Sequence, residues 1–151
     1  MPESHGVVSL HLGGTDLDRI DARGGQFLLW RVMARGWWWQ AHPYSLSASP
    51  TGDRLRITVR TVGDHSAMLR HVAPGTRVWA EGPYGVVTAD ARHRDQVTLI
   101  AAGSGITAIR GVLDELPPTT DVVVVHRVAD AATATFRDEL ARLGTRHGWR
   151  V

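Results

Sequence analysis

The sequence predicts a β-rich unit, either a closed antiparallel barrel or a sandwich, followed by the first half of a doubly wound α/β unit. Three observations carry this. From Val7 to about Thr88 apolar residues recur with period two and are broken at short intervals by Gly or Pro, the pattern of short antiparallel strands. From Gln96 onwards strand-like and helix-like stretches alternate, as in a parallel sheet with crossover helices. Both strand-like stretches there, Gln96 to Ala101 (QVTLIA) and Asp121 to His126 (DVVVVH), have near-continuous apolar centres, which suits strands covered on both faces.

In the first part the strands fall at Val7 to Leu12, Gln26 to Met33, Tyr44 to Ala48, Arg54 to Arg60 and Arg77 to Glu81. Gly13-Gly14, Gly24-Gly25, Gly36, Pro50-Thr51-Gly52-Asp53, Pro74-Gly75 and Gly82-Pro83-Tyr84-Gly85 separate or end them. Within His42-Pro43-Tyr44-Ser45-Leu46-Ser47, Pro43 fixes its own φ and pushes His42 towards extended geometry. Alternation then sets Tyr44 and Leu46 on one face and Ser45 and Ser47 on the other. An aromatic beside small hydroxyls suits a flat redox ring; a strand start with a packed tyrosine is the plainer alternative. Trp37-Trp38-Trp39 interrupts the rhythm, and three consecutive indoles cannot all face one core, so this is either a partner-facing loop or irregular packing.

Gly63 to Val72 is the one helical stretch of the first part, with Asp64 as N-cap and Pro74-Gly75 after its end. Its opening turn, with His65 and Ser66 as donors and Arg60 just upstream, offers a phosphate site; a capped connector without ligand is the alternative.

The second part reads βαβα, with helices over Ile106 to Leu116 and Thr135 to Leu143. Gly103-Ser104-Gly105-Ile106-Thr107-Ala108 lies between strand and helix, where a G-x-G-x-x-G/A loop lets backbone approach a pyrophosphate. The second strand ends in His126-Arg127, and an arginine there favours the 2′-phosphate of NADPH over NADH. A third strand should begin at Trp149-Arg150-Val151, whereas a doubly wound sheet needs about five or six, so half of that unit is expected to be missing.

Composition narrows the chemistry. The 151 residues contain no Cys, which excludes disulfides, thiolate zinc sites, cysteine nucleophiles and cysteine-ligated clusters within the chain. The 17 basic residues are all Arg, balanced by 15 acids to a net charge of +2 and spread without a dense run, so no nucleic-acid footprint is expected. No transmembrane segment, export leader, metal-ligand spacing among the eight His or G-x-S-x-G elbow is found. The expectation is a cytoplasmic protein, free or at the cytoplasmic face of a membrane.

In this order, His-Pro-Tyr-Ser, Gly-Asp-His-Ser, Gly-Pro-Tyr-Gly and Gly-Ser-Gly-Ile-Thr resemble the ferredoxin-NADP reductase family, and within it the flavin-binding module of the ferric-reductase and NADPH-oxidase branch. The resemblance implies a six-stranded antiparallel barrel over residues 1–92 that binds FAD in preference to FMN. It implies a C-terminally truncated NAD(P)-binding α/β domain over residues 93–151. By resemblance Tyr44 stacks on the isoalloxazine and Ser45 sits by flavin N5, within a flavin-contacting stretch that includes Pro43, Leu46 and Ser47. His42 stands where Arg is common in the family, which leaves the pyrophosphate to Arg60 and the Gly63, Asp64, His65 and Ser66 turn, with Thr58 alongside. Gly82, Tyr84 and Gly85 match the barrel-closing turn near the flavin. Gly103, Ser104, Gly105, Ile106 and Thr107 match the nucleotide loop, with Thr107 near the nicotinamide, Ala108 in place of the usual proline, and Arg127 beyond it.

The implied reaction passes hydride from NADPH or NADH to FAD, then single electrons to an acceptor, with Ser45 and Thr107 as the catalytic pair. The implied acceptor is the haem of a fused or associated membrane domain, an iron-sulfur protein or a ferric chelate, with the tryptophan patch as a docking surface. A soluble NAD(P)H-flavin reductase, and a truncated FAD-binding module without hydride transfer, remain the alternatives.

Overall fold

A computed structural model describes residues 2–4, 6–61, 63–131 and 134–151. Strands β1 (Pro2–Ser4), β2 (Val7–Gly13) and β5 (Arg54–Arg60) form one antiparallel sheet in the order β1-β2-β5. Strands β3 (Phe27–Val32), β4 (His42–Ser45) and β6 (Val78–Tyr84) form a second, in the order β4-β3-β6. The two sheets meet at an antiparallel bridge between Leu46 and Ile57. Helix α1 (Asp64–Met68) leads into a 3-10 turn over Leu69–His71.

The second part is a parallel pair, β7 (Gln96–Ala102) and β8 (Asp121–Arg127), with α2 (Ile106–Leu113) and α3 (Arg137–His147). Arg150 adds a parallel bridge to Val123, with the Val124 N–H donating to the Arg150 carbonyl at 2.8 Å, so a third strand starts beside β8.

Two apolar clusters organise these elements. Leu28, Trp30, Leu46, Leu55, Ile57, Val59 and Leu69 fill the first, and Ile106, Ile109, Leu113, Val122, Val124, Phe136 and Leu140 the second. Ala89 packs into the second cluster although it precedes β7. The alternation of β5 explains how the two parts face each other. Leu55, Ile57 and Val59 point into the first cluster, while Arg56 reaches Glu139 of α3 and Thr58 and Arg60 face the loop after β7.

Several boundaries differ from the periodic reading, each for a local reason. β4 leaves its sheet after Ser45 because Leu46 switches to β5. β6 runs on through Gly82 to Tyr84, so these residues end a strand rather than forming a turn; the register of β3 against β6 shifts between Phe27 and Leu29. α2 ends at Leu113, although Leu116 stays buried at 6% exposure. α3 begins only at Arg137 because Phe136 adopts a left-handed φ of 63°, and it continues to His147, where Gly148 at φ 70° stops it.

Candidate functional site

A cleft of about 700 Å³ opens where the two parts meet, lined by Pro43, Tyr44 and Ser45 from β4, Thr58 to Arg60 from β5, and Ala102 to Gly105 with Thr107 from the loop and helix after β7. The two motifs that sequence reading placed on different units thus face one space. Its size lies inside the range of pockets that hold cofactors, about 300–1,000 Å³.

Tyr44 is half-buried. Its inner side packs on the first cluster and its outer side lines the cleft, and burial pushes its phenol above the ordinary value. Two neighbours fix it. The Trp30 indole N–H donates to the Tyr44 carbonyl at 3.0 Å, and the His42 ring lies nearly parallel to the phenol ring at 6.3 Å and 17°. The His42 Nε2 pairs with Gln40 Oε1 at 3.1 Å. Ser45 and Pro43 complete the β4 wall.

Leu46 and Ser47, read as part of the flavin-contacting stretch, turn inward. Leu46 is fully buried in the core, and its N–H donates to the Gln26 carbonyl. Ser47 is fully buried, with its hydroxyl 2.8 Å from Thr58 Oγ1. Thr58 Oγ1 is also 2.7 Å from Ser9 Oγ, so this hydroxyl is tied into a buried triad although the residue borders the cleft. These contacts cross-link β2, β5 and the end of β4, and neither Leu46 nor Ser47 lines the cleft.

On the opposite wall Gly103 adopts φ +52°, and neither it nor Gly105 has an atom within 4 Å of where a Cβ would stand. The loop's open side is therefore clear for an approaching ligand. Thr107 Oγ1 donates to the Ser104 carbonyl at 2.9 Å, while Ile106 is fully buried and anchors α2 in the second core rather than meeting a ligand. Arg60, exposed at the end of β5, borders both this cleft and an adjoining recess of about 330 Å³ that also contains Gly103, His126, Arg127 and Thr135. Among the described residues lining either space there is no carboxylate, so two guanidinium groups set a positive field suited to phosphates.

The remaining expected residues lie outside the cleft's lining. The Gly63 turn closes on itself, with the Gly63 N–H donating to Ser66 Oγ at 3.0 Å and the Ser66 hydroxyl donating to the Gly63 carbonyl at 2.8 Å. The side chains of Asp64 and His65 lie outside the described residues. Gly82 and Tyr84 sit at the end of β6. The Tyr84 hydroxyl donates to Glu81 Oε1 at 2.7 Å, and this bond is the main cause that raises its phenol above the ordinary value. Gly85 follows, its carbonyl accepting from Gln26 Nε2 at 3.0 Å.

Sequence reading missed the residues that hold the walls together. Glu139 Oε1 accepts from Arg110 Nε at 2.7 Å and from Arg56 Nη1 at 3.2 Å, joining α3 to α2 and β5. Glu115 Oε1 accepts the Gly24 N–H at 2.6 Å and the Ser49 hydroxyl at 3.0 Å. These acids and arginines carry no local motif, and only their positions on facing elements reveal them. Trp38 and Trp39 are 58% and 57% exposed in edge-to-face contact, whereas Trp37 is partly buried, so the triplet divides between surface and packing. Among the described residues no helix is long and apolar enough to cross a membrane.

A family model described as an FAD-binding domain matches residues 7–88. The chain is 28% identical over 136 residues to respiratory burst oxidase homolog protein D of Arabidopsis thaliana, covering 73% of this chain and 14% of that protein. It is 30% identical over 129 residues to the NADH oxidoreductase HCR of Escherichia coli K12, covering 81% of this chain and 39% of that protein. The chain thus spans well under half the length of these curated relatives. Among solved structures, the flavohem-like FAD/NAD-binding domain of nitric oxide dioxygenase from Vibrio cholerae superposes with a TM-score of 0.79 at 28% identity, covering 99% of this chain and 68% of that one.

Proposed function

From the premise that this chain belongs to the FAD-binding domain family of ferredoxin-NADP-reductase-type flavoproteins, we propose that it is the flavin module of an NAD(P)H oxidoreductase, taking hydride from NADPH or NADH onto FAD and handing single electrons to an acceptor. The observation that carries this reading is the shared cleft. Tyr44 and Ser45 on one wall and the 103–107 loop on the other stand across a single space with Arg60 at its rim.

The residues present suit the cofactor. Tyr44 offers a ring backed by the core, with its backbone carbonyl held by the Trp30 indole N–H, so a flat ring can stack on it at small entropic cost. Ser45, on the same wall, would donate a hydrogen bond near the reacting end of such a ring. Arg60 supplies the full positive charge for a diphosphate that His42, committed to Gln40 and Tyr44, would not. Thr107, whose hydroxyl is held by the Ser104 carbonyl, would orient the incoming nicotinamide through position. When bound, FAD supplies acceptance of a hydride and release of electrons one at a time. Pairing the two sheets around the first cluster as one six-stranded barrel over residues 1–92, with a partial dinucleotide unit over 93–151, fits this role. The acceptor proposed is a haem in a membrane domain, an iron-sulfur protein or a ferric chelate.

A second reading, a module that holds FAD without hydride transfer, is favoured by one observation. The face of the β7-β8 pair that carries Ile100 and Val125 leaves them 73% and 47% exposed, unlike a sheet covered on both sides. Mixing the purified chain with FAD and then, without oxygen, with NADPH separates the two. Bleaching of the bound flavin's blue absorption supports hydride transfer, and a yellow complex indifferent to NADPH and NADH supports the holding module. A chain that stays colourless refutes both.

A further inference from the structure

The loop between β7 and α2, a 3-10 turn over Gly103–Gly105, is open on the side facing the cleft. Ser104 and Gly105 are exposed, and no atom lies within 4 Å of a Cβ built on Gly103 or Gly105. Gly103 also adopts φ +52°, a conformation reached as easily by a loose loop as by an ordered one. Two tethers act on consecutive carbonyls. The Thr107 hydroxyl donates to the Ser104 carbonyl at 2.9 Å, and His126 Nε2 lies 2.9 Å from the Gly103 carbonyl, to which it donates.

In a trans peptide the N–H that follows a carbonyl points the opposite way. Holding the Gly103 and Ser104 carbonyls therefore turns the N–H groups of Ser104 and Gly105 away from their tethers. His126 is well placed for this, since it pairs in register with Ala101 on β7 and is itself partly buried. It also lines the positive recess with Arg60 and Arg127.

We infer that His126 is a positioning residue: through the Gly103 carbonyl it fixes the 103–105 loop in the shape that receives the phosphates of a nicotinamide dinucleotide. The inference rests on the reading that this loop takes such a ligand, and it adds a residue that acts through the Gly103 carbonyl. Because the tether comes from the ring's Nε2–H, a glutamine amide can replace it, whereas alanine cannot.

The test is calorimetric titration of the FAD-loaded chain with NADP⁺, comparing wild type, His126→Ala and His126→Gln, with the FAD dissociation constant measured in parallel. The expected result is NADP⁺ binding about five- to tenfold weaker in H126A, the scale of one lost hydrogen bond, return to within about twofold of wild type in H126Q, and an unchanged FAD constant in both. Equal NADP⁺ affinity in H126A and wild type overturns the inference and leaves the functional reading standing. Equal weakening in H126A and H126Q overturns it as well, since ring packing and not the donated hydrogen bond would then be the cause, as does a parallel loss of FAD affinity. Failure of the wild type to bind either NADP⁺ or NAD⁺ removes the dinucleotide reading together with the inference, and the wild-type titration alone identifies that case.

Discussion

Gly111 of α2 lies so close to Leu46, just past β4, that a Cβ on Gly111 would fall on the Leu46 carbonyl oxygen and stand 2.7 Å from the Gly25 N. The chain leaving β4 and helix α2 are therefore seated directly on each other's backbone. A Cβ on Gly24 would in turn strike the Gly111 carbonyl, so the contact is tight from both sides.

Gly111→Ala should destabilise the chain despite being a helix-favouring change. Alanine gains roughly 1 kcal/mol of helix propensity over glycine, but overpacking against backbone that cannot rotate aside costs about 1–3 kcal/mol. Chemical denaturation should show a net loss of up to about 2 kcal/mol, the overpacking cost less the propensity gain. Gly52→Ala, at an ordinary φ and with no atom within 4 Å of the new Cβ, should stay within about 0.5 kcal/mol of wild type.

Glu139 is the acid on which Arg56 of β5 and Arg110 of α2 converge, with side chains 21%, 14% and 9% exposed. Glu139→Gln leaves two largely desolvated guanidinium groups facing an amide. Arg110 keeps Asp114 at 2.5 Å and Arg56 keeps the Ser47 carbonyl, so the loss should fall below that of a wholly orphaned buried ion, roughly 2 kcal/mol. Thermal unfolding measures it, and Arg137→Ala, exposed in the first turn of α3, is the control expected to change little.

These two contacts mark where the sequence stops being legible. Strands β2 and β5 were visible in it because their side chains obey the period of the strand, and β7 and β8 because they are near-continuous apolar runs; β5 runs over the predicted Arg54–Arg60. The cleft residues Tyr44, Ser45, Arg60, Gly103 and Thr107 were visible because their motifs are local. Leu46 and Ser47 were misplaced because the chain changes sheets after Ser45, an event that alternation within one strand does not encode. Phe136 at a positive φ delayed α3 for the same kind of reason, since tertiary burial at 5% exposure outweighs local preference. Glu139, Trp30 and His126 act only across elements distant in sequence, so periodicity had nothing to say about them.

Tyr44→Ala should weaken FAD binding by about five- to thirtyfold, the loss of one stacked aromatic worth roughly 1–2 kcal/mol, and Tyr44→Phe should leave it nearly unchanged. Flavin fluorescence titration decides, and equal affinities for Ala and wild type would remove the stacking role. The hydroxyl has a separate signature. Burial raises its pKa in the folded chain, so the neutral phenol's contribution to stability is fully present below the ordinary tyrosine value and is lost as pH rises through the folded one. Tyr44→Phe should therefore flatten the alkaline limb of the stability profile while leaving neutral pH unaffected.

Arg60 and Arg127 separate two phosphate roles. Arg60 borders both the cleft and the recess, whereas Arg127 borders the recess alone. If the recess takes the 2′-phosphate, Arg127→Ala should weaken NADP⁺ binding by about tenfold, the scale of one charge-assisted hydrogen bond, and leave NAD⁺ and FAD unchanged. Arg60→Ala should weaken FAD and both dinucleotides together, because its charge serves the cleft from which all three would be held. Raising ionic strength should shrink the Arg127 effect, since that side chain is exposed and its field is screened within about 10 Å at 0.1 M salt. Equal losses for NADP⁺ and NAD⁺ in Arg127→Ala would make this arginine a contact to the shared diphosphate, and cofactor preference would then have to arise from residues other than those at the end of β8.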